Sequence, residues 1–98
     1  MRTLEVAEIS IDESGRLLIR PRDADDSFQY VYRAAAEVSW DPAQACFTCP
    51  QPREWSYLQW FEHARGAVRS ELGWNLKVTR RTTWTNVADD LRERICSA

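Results

Sequence analysis

Cys46-Phe47-Thr48-Cys49 is a C-x-x-C, the spacing in this chain that belongs to known cysteine chemistry. Such a pair serves either in redox exchange or as half of a zinc site. A redox pair of the thioredoxin kind sits at a helix N-terminus, whereas Pro50 and Pro52 follow here at once. A structural zinc needs four ligands, and there is no second C-x-x-C. Cys46, Cys49, His63 and Cys96 are what remains, and on an extended strand Cys46 and Cys49 point to opposite faces. No metal, no cofactor and no required disulfide is expected.

His63 is the chain's only histidine. Local spacing sets no serine or cysteine beside it, and Glu62-His63 lacks the second histidine of a metalloprotease motif. The glycines, at 15, 66 and 73, are too scattered for a phosphate loop. Asp23-Ala24-Asp25-Asp26 has too few ligands, and no glycine, for a calcium loop, and reads as a solvated turn. The residue types therefore lean away from an enzyme and toward binding.

With 98 residues the chain is expected to be a single domain spanning 1–98. Its 44% hydrophobic and 29% charged residues suit a folded protein rather than a disordered one. The net charge of −2, with both signs interspersed, lacks the positive field of a nucleic-acid binder. No run approaches the roughly 20 apolar residues of a membrane span, and the N-terminus has no signal-peptide core. A cytoplasmic location follows as the expectation, with reduced cysteines. Every basic side chain except Lys77 is arginine, which suits a GC-rich coding bias or bidentate recognition.

Residues 3–12 alternate like a strand, but Leu4 and Val6 differ in parity from Ile9 and Ile11. A bulge near Ala7–Glu8 would return all four to one side. Glu13-Ser14-Gly15 is a turn, and residues 16–21 form the second strand of a hairpin. Residues 28–33 alternate Phe28, Tyr30 and Tyr32 against Gln29, Val31 and Arg33, and read as a strand. Residues 37–40 and 45–49 pair around the turn at Asp41-Pro42. A helix is predicted over 53–72 with Gly73 as its C-terminal cap. A strand at 75–80 and a helix at 87–95 follow, the latter capped by Thr85 or Asn86 with Asp89 and Asp90 at its N-terminal dipole. The fold class is α+β: an antiparallel β-meander of five to six strands, packed by one long helix, plus a short C-terminal helix.

On the long helix Tyr57, Leu58, Phe61, Ala64, Val68 and Leu72 fall within about 120° of arc and form the core stripe. Trp60 falls on the flank shared with Ala67, Glu71 and His63, and Trp55 on the opposite flank. Trp60 then either lids the core or, with Ala67 and Trp74, offers a patch to a second subunit. The Tyr30/Tyr32 strip raises the same choice for the sheet.

From Trp40-Asp41-Pro42, through the run Arg53 to Phe61, to Thr82-Thr83-Trp84-Thr85-Asn86-Val87, the chain resembles small proteins carried on mobile integron gene cassettes. Gly15 to Pro21 (GRLLIRP) and Tyr30 to Ala35 (YVYRAA) agree with that pattern. The resemblance implies a bacterial accessory protein, a compact α+β unit that acts by binding. It brings no agreed activity and no catalytic residues.

The leading expectation is a non-enzymatic binding protein that forms homo-oligomers. Its binding or interface residues would be Tyr30, Tyr32, Arg33, Trp60, His63 and Trp74. One alternative is a small-molecule or catalytic pocket between helix and sheet, built from Trp40, Tyr57, Arg33 and His63. Another is an immunity-like protein that masks a toxin through its acidic loop. Neither nucleic acid nor membrane is expected as a partner.

Overall fold

The computed structural model describes residues 2–98. Strand β1 (Arg2–Ile11) is the longest and lies at the centre of the sheet, next to β2 (Leu17–Pro21). β3 (Ser39–Asp41) and β4 (Cys46–Cys49) extend the sheet beyond β2, all antiparallel, in the order β3-β4-β2-β1. β5 (Trp74–Lys77) and β6 (Thr83–Thr85) follow one another along the other side of β1. Both run parallel to it. The sheet is therefore mixed, and the predicted antiparallel meander is met only in part: β1 to β4 are antiparallel, but β2 pairs with β4 rather than with β3, so consecutive strands are neighbours only in the hairpins β1–β2 and β3–β4. Adjacent strands joined by tight turns must be antiparallel, but β5 returns after a helical crossover, which permits parallel entry.

The parity slip in β1 is a bulge, as its sequence predicts. The register with β2 shifts between Val6 and Glu8. Leu4, Val6 and Ile9 are consequently all buried, and Ile11 packs against the core. Alternating rows then divide the sheet into two chemistries. Trp40, Phe47, Ile19, Ile9 and Trp84 stand side by side across β3, β4, β2, β1 and β6. The neighbouring row, Ser39, Thr48, Leu18, Ser10 and Thr85, faces the other way and is mostly polar. Ser39 and Thr48 share a hydroxyl hydrogen bond of 2.7 Å on that side, and Arg20 pairs with Glu8 at 2.7 Å. Apolar residues from the helices cover the first face, so the core lies there.

The stretch predicted as a strand at 28–33 is a 3-10 helix, Asp26–Arg33. Asp25 caps it by accepting from the Ser27 amide and hydroxyl. Those hydrogen bonds, led by the one from the Ser27 amide, hold the Asp25 carboxyl below its ordinary range. The three-residue period buries Phe28 and Val31 together and leaves Tyr30 and Tyr32 outside. The alternating pattern was ambiguous because Phe28 suits either period. The acidic segment before it is thus a helix start rather than only a solvated turn.

Helix α1 (Tyr57–Ala67) starts later than residue 53. Ser56 Oγ accepts from the Gln59 amide at 3.2 Å, and Gln59 Oε1 accepts from the Ser56 amide at 2.8 Å. This reciprocal capping box fixes the start. A π-helical turn, Val68–Leu72, continues the helix to Gly73, whose φ of 74° makes it the left-handed cap expected. Helix α2 (Asp89–Ser97) has no side-chain cap. Asn86, at φ 57°, instead donates its amide to the Ile11 carbonyl. Among the described residues, no helix is long and apolar enough to cross a membrane.

Candidate functional site

Phe61, Ala64 and Val68 are fully buried, and Tyr57, Leu58 and Leu72 pack against the same core, as the stripe requires. The Tyr57 hydroxyl donates to the Gly15 carbonyl at 2.8 Å and ties α1 to the β1–β2 hairpin. Trp60 is also buried by its own chain, with only 8% of its surface exposed. Ala67 beside it is buried too, so the expected Trp60–Ala67 patch is not an open surface.

Trp55 is not on the opposite flank, because it precedes the helix. It occupies the position before the Ser56 cap, and Trp60 is the fourth residue of the helix. These are the two positions of a hydrophobic staple, in which an apolar residue outside the helix closes onto the first turn. The ring centroids lie 4.9 Å apart at 53°. His63, one turn further on, meets Trp55 edge-on at 5.0 Å and Trp60 at 5.7 Å. The staple accounts for the contact between the indoles. It leaves 42% of Trp55 exposed, the third large hydrophobic on the surface beside Tyr30 and Tyr32.

That exposed indole borders a groove of about 570 Å³, with Trp60 and His63 beside it. The volume falls in the range of small-ligand pockets. Ala36 and Glu37 line it from the connection between the 3-10 helix and β3. Gln51, Arg53 and Glu54 supply the polar lining from the proline-rich lead into α1. Arg53 reaches Glu37 at 3.3 Å, with both side chains largely exposed. Such a pair adds little stability. Glu37 itself has φ 69°, a left-handed conformation that costs a non-glycine residue about 1–2 kcal/mol. Backbone strain of this kind concentrates at functional positions.

The other expected residues lie elsewhere. Trp40, partly buried, packs edge-on against Phe28 and Phe47 of the core, at 5.2 and 4.9 Å. Arg33 stacks over Tyr30 at 4.3 Å and approaches Glu71 at 3.8 Å. Trp74 lies edge-on to Phe28 at 6.0 Å, and Arg2 covers its ring at 4.2 Å. Trp40, Tyr57, Arg33 and His63 are therefore not one pocket. Each belongs to a different contact, because Tyr57 is taken by the hairpin and Arg33 leaves with the 3-10 helix.

The cysteines are free, and Cys46 and Cys49 are buried on opposite faces of β4 while Cys96 is exposed. Burial pushes the Cys46 thiol up to about 11 and the Cys49 thiol to about 12. Cys49 points its Sγ toward the Trp60 carbonyl at 3.9 Å. A thiol held neutral at physiological pH is a poor nucleophile and a poor metal ligand. No group of three or more histidine, cysteine, aspartate or glutamate side chains is clustered for a metal among the described residues.

Comparison with known proteins agrees with the resemblance seen in the sequence. No curated protein matches the chain. A solved structure of the integron cassette protein Hfx_Cass5, from the mobile metagenome of the North West Arm sewage outfall, is 39% identical. The match covers 99% of this chain and 95% of that one, with a TM-score of 0.49. The model of the Hfx_Cass5 integron cassette protein family matches residues 4–82, from the first buried leucine of β1 to the buried Thr82 before β6. With most of its sheet, its capped helix and its aromatic groove inside that match, this chain belongs to the Hfx_Cass5 family of integron cassette proteins.

Proposed function

We propose that this cassette protein acts by binding rather than by catalysis, and that the Trp55 groove is where it binds. The observation that carries this reading is the half-exposed indole of Trp55 lining a recess of small-ligand size. His63 makes no side-chain hydrogen bond among the described residues, and the nearest thiol, Cys49, is buried and neutral. A thermal-shift screen of small molecules tests the proposal on the wild type and on Trp55→Ala. Compounds at 100-fold above their Kd add about 2.7 kcal/mol to the wild type and should lose that effect in the variant. Hits that stabilise both proteins equally would place the binding elsewhere.

A second reading, self-association, is favoured by a separate observation. Tyr30 and Tyr32 are 39% and 56% exposed on one short helix, with Arg33 stacked beside Tyr30. Tyrosine and arginine are the residue types enriched at subunit contacts. This strip, rather than Trp60, is the surface on which a homo-oligomer would form. Sedimentation across concentration decides the matter. A wild type that associates and a Tyr32→Ser variant that does not would support it, and a wild type monomeric at high concentration removes it.

A further inference from the structure

We propose that the Trp55 groove takes a small organic cation, an ammonium group carried on an apolar body. The proposal rests on the groove reading above and adds the charge and shape of the ligand. An indole face attracts a cation through its quadrupole, within about 6 Å of the ring centroid. Here the exposed indole is Trp55, with the buried Trp60 ring in contact with it at 4.9 Å. Two carboxylates, Glu37 and Glu54, line the same recess against a single arginine. That balance favours positive charge and disfavours an anion.

Glu37 makes the stronger point. Its left-handed backbone would suit glycine without strain, yet the position carries a carboxylate that faces the groove. The Arg53 guanidinium already lies against that carboxylate at 3.3 Å and is itself largely exposed. It occupies the place of the ligand's charge and is held there only by an exchangeable surface contact. An arriving ammonium takes its place between the Glu37 carboxylate and the Trp55 indole, with the apolar body along the rest of the groove. The volume of about 570 Å³ leaves room for an aryl or branched alkyl body beyond the charged head.

Isothermal titration calorimetry with benzyltrimethylammonium, benzyl alcohol and benzenesulfonate tests this on the whole chain. The cation should bind about tenfold or more tighter than the neutral or anionic probe. Trp55→Ala should weaken it by about tenfold and Glu37→Gln by about fivefold, with circular dichroism unchanged. Trp55→Phe should retain part of the affinity, because a smaller π face remains. Equal binding of benzyl alcohol, or preference for benzenesulfonate, overturns the charge assignment while leaving the groove as a binding site. Cation binding that ignores Trp55→Ala overturns the location. Failure of every probe overturns both the cation and the groove.

Discussion

At the scale of the residue, neighbouring aromatic side chains in the run Arg53 to Phe61 carry different energies. Phe61 is fully buried and Trp60 nearly so. Trp60→Ala should therefore cost about 3–5 kcal/mol, as truncation of a buried aromatic does. Trp55→Ala removes a half-exposed staple and should cost about 1 kcal/mol. Urea unfolding of both variants checks the order, and equal losses would mean that Trp55 is as much core as Trp60. The place of Phe61 was legible from helical periodicity alone. That of Trp55 was not, because helical periodicity does not mark the start of α1 at Tyr57. Ser56 and Gln59 at capping-box spacing, with tryptophans before the cap and at the fourth helical position, were the unread signal. The cysteines separate in the same way. Cys96 should alkylate rapidly in the native protein, whereas Cys46 and Cys49, buried and shifted to about 11 and 12, should react only after unfolding. Mass spectrometry of native and urea-treated protein counts the modified thiols. Early labelling of Cys49 would contradict the packing of β4 against α1.

At the scale of the element, the sequence is most readable where one period and one cap agree. β1, its bulge and the hairpin to β2 were visible because one parity slip has one economical repair. The 3-10 helix was hidden because Phe28-Gln29-Tyr30-Val31-Tyr32 satisfies a period of two as well as a period of three. Only Asp25 and Ser27, the cap and its donor, break the tie, and they sit in what looks like an acidic turn. Helix α1 carries its own test of propensity against packing. Gly66 is exposed within it, and a Cβ built there meets nothing within 4 Å. Glycine in such a position forfeits helix propensity without serving a turn or a close approach. Gly66→Ala should raise stability by about 0.5–1 kcal/mol and leave groove binding unchanged. A drop in the denaturation midpoint would show that the open space is taken up by another molecule or subunit.

At the scale of the whole molecule, the chain closes on itself by pairing β1 with β5 and β6, and these parallel contacts join residues more than seventy positions apart. No local pattern encodes such a pairing, which is why β5 was legible as a strand while its parallel place beside β1, and β6 altogether, were not. One polar cluster secures the closure. Thr79 donates to Glu5 at 2.7 Å, Arg22 contacts the same carboxylate at 2.6 Å, and Arg81 lies at 3.3 Å. Thr82 then donates to the Val6 carbonyl at 2.7 Å, so the β5–β6 connection is stitched to β1 and to the end of β2. The Thr79 hydroxyl foremost, opposed by partial desolvation and helped by Arg22 and Arg81, holds the Glu5 carboxyl below its ordinary value of 4.5. A carboxyl with a depressed folded value stabilises the protein above the unfolded value and loses that contribution as pH falls through the folded one. Glu5→Gln keeps an acceptor for Thr79 but removes the charge. The variant should be less stable than the wild type near neutral pH, and the gap should narrow in acid as the pH falls through the folded value. Urea midpoints of both proteins at neutral and acid pH measure this directly, provided the slopes match. A gap of the same size in acid would mean that the Glu5 charge contributes nothing to closure and that the hydrogen bonds of Thr79 and Thr82 hold the parallel edge by themselves.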